Sequence, residues 1–312
     1  MKFASNAATI AMVAGCEMRF RVFPLVVIVS LALCSSSAAD QEELFDHAAK
    51  APADFSRLLS RAETGDREAQ FLAGLAYDTG VGTQRDYALA AHWYRKAADS
   101  GNPGAQNNLG GLYALGLGVQ QSDVEAVRWY MRAAAENHPA AQNNLGFMYA
   151  EGRGVPHSDE IAVSWYRKAA GNGYAGAQTN LGYMYSAGRG VPQDTKQAIK
   201  WYRQATKSGF APAEFELGQI YFLGAGGETD FPQAMKWFRK ASEHGSAAAQ
   251  RQLGFAYAQG RGVERNYAEA EKWYRKAVAN GSAEARQSLA AILKLLRGDS
   301  SAAESGAVSV QP

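Results

Sequence analysis

Beyond residue 39 the chain has no cysteine, because Cys16 and Cys34 both lie in the opening segment. Disulfides and thiolate metal sites are therefore excluded from everything after Asp40. An excess of one charge is missing as well. The totals of 32 basic and 30 acidic groups lose Lys2, Arg19, Arg21 and Glu17 with the same segment, which leaves the two signs equal. A nucleic-acid binder would show a basic excess and a surface for anionic lipid a polybasic block; the sequence has neither. Catalytic signatures are missing too: no S-x-x-K, no G-x-S-x-G and no H-E-x-x-H occurs, so serine and zinc hydrolysis have no motif to stand on. No run approaches the roughly 20 apolar residues that span a bilayer, so stable membrane insertion is not expected.

The first 39 residues differ in composition from the rest. Arg19 and Arg21 precede an apolar run from Phe23 to Cys34, and the small residues Ser35 to Ala39 follow. This is the pattern of a signal peptide cleaved after Ala39, which implies export to the periplasm or the medium. Met18 is an alternative start. A lipid anchor on Cys34 is the rival reading, disfavoured because Leu33 stands where a small residue is normal.

What the chain does have is a period. The stretch from Ala141 to Gly176 matches itself at a shift of 36 residues, with copies beginning at Ala69, Ala105, Ala177, Ala213 and Ala249 and a truncated seventh at Ala285. All six tryptophans (Trp93, Trp129, Trp165, Trp201, Trp237, Trp273) keep that spacing. A unit this short cannot bury its own apolar face, so copies must stack into a solenoid with one continuous core.

Each unit reads as two helices. Ala141, Leu145, Met148 and Tyr149 share one helical face, and Ala162, Trp165, Tyr166 and Ala169 share another. The first helix stops at a glycine in every full copy (Gly80, Gly116, Gly152, Gly188, Gly224, Gly260), as a left-handed terminator requires. Asp86, Ser122, Ser158, Asp194, Asp230 and Asn266 are N-caps for the second helix, and Glu125, Gln197, Gln233 and Glu269 complete a capping-box pattern three residues on. The second helix ends at glycine in all copies but one, where Asn137 stands. Gly74, Gly110, Gly146, Gly182, Gly218 and Gly254 fall mid-helix, each costing about 1 kcal/mol against alanine. The expected compensation is close approach of the second helix to the first. The truncated copy has no second helix, and there the position is Ala290.

The pattern A-Q-x-x-L-G-x-x-Y-x-x-G-x-G-V, followed by D-x-x-x-A-x-x-W-Y-x-x-A-A-x-x-G, resembles the Sel-1-like repeat (SLR) family, a relative of the tetratricopeptide repeats, over about residues 69–297. Departures are local: Ala73 replaces the leucine, Thr83 the valine, and the fifth copy reads Gly224-Ala225-Gly226-Gly227. The resemblance implies an all-α, right-handed α/α superhelical solenoid and an adaptor role in protein complexes. Exported bacterial members are described as envelope regulators or as factors that meet host proteins, and a few as β-lactamases. The expected organisation is a signal peptide at 1–39, a linker and capping helix at 40–68, six repeats at 69–284, a capping helix at 285–297 and a disordered polar tail at 298–312.

Chemistry-bearing residues point to binding and away from catalysis. The G-x-G stretches join two helices and lack the lysine of a phosphate loop, so they read as helix stops. The five histidines (His47, His92, His138, His157, His244) occupy different repeat phases, and no metal or cofactor is expected. Arg95-Lys96, Arg167-Lys168, Arg239-Lys240 and Arg275-Lys276 sit in last helical turns, where cations favour the macrodipole. First helices line the concave side of stacked α/α repeats. On their outer face lie Asn107 and Asn143, an aromatic row of Phe147, Tyr183 and Phe255, and an amide ladder of Asn108, Asn144 and Asn180 continued by Gln252. Asparagine is a poor helix former, and its amide offers donor and acceptor to an extended peptide. The aromatics also fit plain packing between successive first helices. The reading is an exported, non-enzymatic scaffold that binds a protein or peptide; a glycan binder using the aromatic row is the alternative, and a β-lactamase-like hydrolase a distant one.

Overall fold

The computed structural model describes residues 52–297; the expected signal segment, the linker before residue 52 and the polar tail lie outside the described residues. Fourteen α-helices and no strand occur among the described residues. They are α1 (Pro52–Glu63), α2 (Arg67–Thr79), α3 (Tyr87–Asp99), α4 (Pro103–Leu115), α5 (Asp123–Ala135), α6 (Pro139–Glu151), α7 (Asp159–Gly171), α8 (Ala175–Ala187), α9 (Thr195–Ala205), α10 (Ala211–Leu223), α11 (Phe231–Glu243), α12 (Ala247–Gln259), α13 (Tyr267–Ala279) and α14 (Ala283–Leu296). The chain forms two compact units that part between Asp194 and Thr195. Even-numbered helices are the first helices of the repeat and odd-numbered ones the second.

Within each unit, a second helix packs between the first helix of its own repeat and that of the next. So α5 lies between α4 and α6, and α13 between α12 and α14. The core is a string of junction clusters: Ala126, Tyr130 and Ala133 of α5 meet Ala141, Leu145 and Met148 of α6. Ala234, Phe238 and Ala241 of α11 repeat the arrangement against Ala249, Leu253 and Ala256 of α12. Alanine on both sides lets the helices approach until the larger side chains interdigitate. Helix α1 packs on α2 through Phe55, Leu58 and Ala62, and α14 packs on α13 through Ala285 and Ile292.

Helix ends follow the sequence with one correction. Every full first helix stops on a left-handed glycine, from Gly152 at φ 63° to Gly80 at φ 78°, and Asn137 is the only non-glycine residue with positive φ among the described ones. The side chains of Asp86, Ser122, Ser158, Asp230 and Asn266 accept N–H groups of the following first turn. The capping box is only half made. The N–H groups of Ser122, Asp230 and Asn266, which the box would use, are donated at 2.9 Å to the carbonyls of Tyr113, Tyr221 and Tyr257. Glu125 and Glu269 turn instead to Arg128 and Lys272, one helical turn on. The same tyrosine carbonyl closes the loop at Asp86, Ser158 and Asp194.

The mid-helix glycines make room chiefly for a ring of the second helix, and at Gly110 also for the Ala126 carbonyl. A Cβ on Gly74 or Gly146 would stand 2.5 Å from the ring of Tyr94 or Tyr166, and on Gly110 or Gly254 it would stand 2.8 Å from that of Tyr130 or Tyr274. Phe238 fills the same notch at Gly218. These are the aromatics that follow each tryptophan, buried where helix meets helix. Ala290, on which no second helix packs among the described residues, is exposed. Gly146→Ala should therefore lower stability: helix propensity returns about 1 kcal/mol, and overpacking removes about 1 to 3 kcal/mol. A denaturant midpoint above wild type would refute the notch.

Candidate binding face

Successive first helices touch along the face that carries the asparagines. Asn144 Nδ2 donates to Asn107 Oδ1 at 3.0 Å, and Asn180 Nδ2 donates to Asn143 Oδ1 at 2.9 Å, each bond joining one repeat to the preceding one. The first rung runs inward: Asn107 donates to Asn108, Asn108 to the Tyr94 hydroxyl, and Tyr94 to the Asp78 carboxylate. Burial pushes the Asp78 carboxyl up, against the pull of the Tyr94 hydrogen bond, and raises Tyr94 strongly. In the second unit Gln252 donates to Gln219 at 2.9 Å. Glu216 holds the asparagine position there, and loss of water raises its carboxyl to about 7.

Asn107, Asn108, Asn143, Asn144 and Gln252 are all 4% exposed or less. This corrects the expectation that they are presented to a partner. First helices approach closely, and polar groups trapped in the gap satisfy one another because an unpaired buried amide is costly. Phe255 is buried too, its ring 6.1 Å from Phe222. Asn180, Phe147 and Tyr183 stay half-buried and are the predicted site residues that solvent reaches. The structure thus brings three of the nine to one accessible patch on α6 and α8.

That patch is held by arginines the sequence reading passed over. Arg153, between two loop glycines, bonds both oxygens of Asp123 (3.1 and 2.5 Å) and the Ala114 carbonyl (3.0 Å), with its guanidinium 6.0 Å from the Phe147 ring. Arg189 repeats this on Asp159 (3.0 and 2.7 Å), the Ala150 carbonyl and the Tyr183 ring. The signal was present, as arginine inside G-x-G with aspartate 30 residues earlier, but a helix-stop reading of the loop gives no reason to look for it. The loop glycines also matter sterically, since a Cβ on Gly154 or Gly190 would collide with the backbone of Asp123 or Asp159.

The basic pairs have a structural task. Arg95, Arg167, Arg203 and Arg239 donate to the hydroxyls of Tyr113, Tyr185, Tyr221 and Tyr257 in the following first helix. Lys96, Lys168, Lys240 and Lys276 lie 4.1 to 5.3 Å from the tryptophan of their own helix. A glutamine row was also missed. Gln70, Gln106, Gln142, Gln178 and Gln250 each donate to a carbonyl eight residues earlier, at the end of the preceding second helix. Glu214 takes that place in the fifth copy and pairs with His244 at 2.7 Å. Among the described residues no cluster of His, Cys, Asp and Glu could hold a metal ion, and no helix is long and apolar enough to cross a membrane.

His138 caps α6 through Nδ1, which accepts the Ala141 N–H at 3.3 Å and must stay unprotonated to do so. Burial agrees, lowering the imidazole from 6.5 to about 4. The unfolded chain therefore binds the proton first, so this contribution is complete above pH 6.5 and lost as pH falls towards 4, with a ceiling of about 3 kcal/mol. His138→Ser, with the residue that caps α12 and α14, should flatten the melting temperature over that interval relative to wild type. Parallel pH profiles for the two proteins would sink the assignment.

The model of the Sel1 repeat matches six consecutive segments, residues 67–102, 103–138, 139–174, 175–210, 211–246 and 247–282. Among solved structures, a Sel1 repeat protein from Oxalobacter formigenes is 32% identical, covering 72% of this chain and 90% of that one with a TM-score of 0.67. The protein c5321, a protective antigen of uropathogenic Escherichia coli strains displaying an SLR fold, is 33% identical and covers 78% of this chain and 60% of its own, with a TM-score of 0.46. The immunity protein Pa5087 from Pseudomonas aeruginosa, 21% identical over 69% of this chain and 82% of its own, has a TM-score of 0.51 and a similar fold. A search of curated proteins found no match. Helix pairs repeating every 36 residues, glycine notches filled by rings and six matched segments agree: the chain belongs to the Sel1 repeat family and is an all-helical repeat scaffold.

Proposed function

We propose that this protein is an exported, non-catalytic adaptor that grips an extended segment of a protein partner on the first-helix face of α6 and α8, the concave side in the superhelix that the family resemblance implies. The observation that supports this reading is the patch itself. Phe147 and Tyr183 are half-exposed aromatics at one phase of neighbouring repeats, each braced by a guanidinium that is fixed to the previous repeat. Asn180 lies beside them with its Nδ2 held by Asn143. Rigid aromatics with a polar neighbour suit a peptide, because little side-chain freedom is lost on binding. The general role of such repeats in protein interaction favours a protein partner over a glycan.

Bound material recovered from an exported extract, analysed for peptide and for sugar, tests the partner class. With the captured partner, Phe147→Ala and Tyr183→Ala should each weaken binding at least tenfold, and Asn180→Ala by about three- to tenfold, without loss of helicity. A sugar polymer whose binding survives Asn180→Ala and fails with Phe147→Ala would replace the protein reading. Turnover of a chromogenic β-lactam would overturn the non-catalytic one. Export is checked by intact mass: the mature chain should begin at Asp40, and a lipidated Cys34 would defeat a soluble assignment.

A further inference from the structure

At the junction of the fifth and sixth copies the arginine of the G-x-G loop has lost its carboxylate. Arg153, Arg189 and Arg261 hold the same repeat position, and the aspartates that pair with the first two, Asp123 and Asp159, are replaced for the third by Phe231. Ala150, whose carbonyl helps hold Arg189, is replaced by Phe222. Phe222, Phe231 and Phe255 then form an aromatic cluster, with ring centroids 5.3 Å apart for Phe222 and Phe231 and 6.1 Å apart for Phe222 and Phe255. The Arg261 guanidinium lies 5.8 Å from the Phe222 ring and 5.4 Å from that of Phe255, is exposed, and has no carboxylate within ion-pair distance among the described residues.

The ring contacts supply Arg261 with no carboxylate, and an exposed guanidinium keeps a planar N–H fork that can donate to one in bidentate fashion. The backbone beneath is fixed. Arg261 N–H donates to the Ala256 carbonyl at 2.9 Å, and Gly262, at φ 73°, sits so close to Phe231 that a Cβ would stand 2.5 Å away. Arg265, four residues on, is exposed and lies 5.7 Å from the Tyr267 ring, so a second guanidinium stands in the same loop. Glu228 and Glu264 are exposed on the flanking loops and make no ion pair with either.

We infer that Arg261, on its Phe222–Phe255 platform, is a carboxylate-binding site that takes an acidic side chain or the C-terminal carboxylate of a protein segment. The site lies wholly in residues 195–297 and is independent of the α6–α8 patch. It fills, from another molecule, the position that Asp123 and Asp159 fill from within where Arg153 and Arg189 stand.

The test follows the arginine Nε–H signals of the full chain by NMR during titration with two peptides: hexaglutamate with an amidated C-terminus, and a neutral glycine–serine hexapeptide with a free one. One of them should shift the Arg261 signal and leave that of Arg153 in place, which also tells a side-chain source from a terminal one. Arg261→Gln should weaken that binding at least tenfold. Phe231→Asp, which restores the internal partner, should abolish it while Arg261 remains. Arg261 is exposed, so Arg261→Gln decides the matter alone if Phe231→Asp proves unstable. An Arg261 signal unmoved by both peptides, equal binding by Arg261→Gln, or inorganic phosphate acting as strongly as the peptides overturns the proposal.

Discussion

The fit of one aromatic ring into a notch with no side chain is the constraint on which the repeat depends. Glycine in the middle of a helix is locally unfavourable, and it persists here because the ring of Tyr94, Tyr130, Tyr166, Phe238 or Tyr274 occupies the space a methyl would need. The ring sets the distance between the helices of a pair, and that distance sets everything beyond it. Alanine can then line both sides of each junction cluster, and the loop is short enough for its N-cap N–H to reach back to a tyrosine carbonyl. On α14, where no second helix packs among the described residues, the position is Ala290 and no ring needs the notch.

Apolar packing of this kind repeats too regularly to fix which copy stacks on which, and the polar ties supply the register. Arg153 and Arg189 lock each loop to the copy before it, the asparagines bond backwards across the same junctions, and arginines reach forward to the next tyrosine hydroxyl. The asparagines and the Arg153 and Arg189 ion pairs are partly or wholly removed from water, so each must find its partner or lose free energy. Between the fifth and sixth copies the arginine remains without its aspartate, and three phenylalanine rings take the place of the ion pair beneath it.

The sequence was a good guide to the fold and a partial one to the face. Helix number, helix ends and the left-handed Asn137 follow from local chemistry, which acts over a few residues and leaves a mark at every copy. The binding face was legible in phase but not in depth. Helical geometry sets Asn107, Asn144 and Phe255 apart from the leucine face, yet whether their side is solvent, core or the next helix depends on how closely copies approach, and Phe255 lies in a core cluster with Phe222. Gly111, buried beside the asparagines, is the one hint of that closeness. The capping box misled for a related reason: Ser122 and Glu125 have the right spacing, but a tyrosine carbonyl from outside the motif competes for the N–H.

One substitution gives the array a weak seam. Glutamine ties the start of a first helix to the carbonyl end of the helix before it, and Glu214, having turned to His244, has no amide to donate. There α9 ends at Ala205 and its chain continues as a tight turn over Thr206–Ser208, while the other complete second helices run for 13 residues. Carbonyls without a second donor hold their own helix less firmly. Less firmly tied helix ends open more readily, so amide protons in this turn should exchange with solvent ahead of those at the matching helix ends of the other copies.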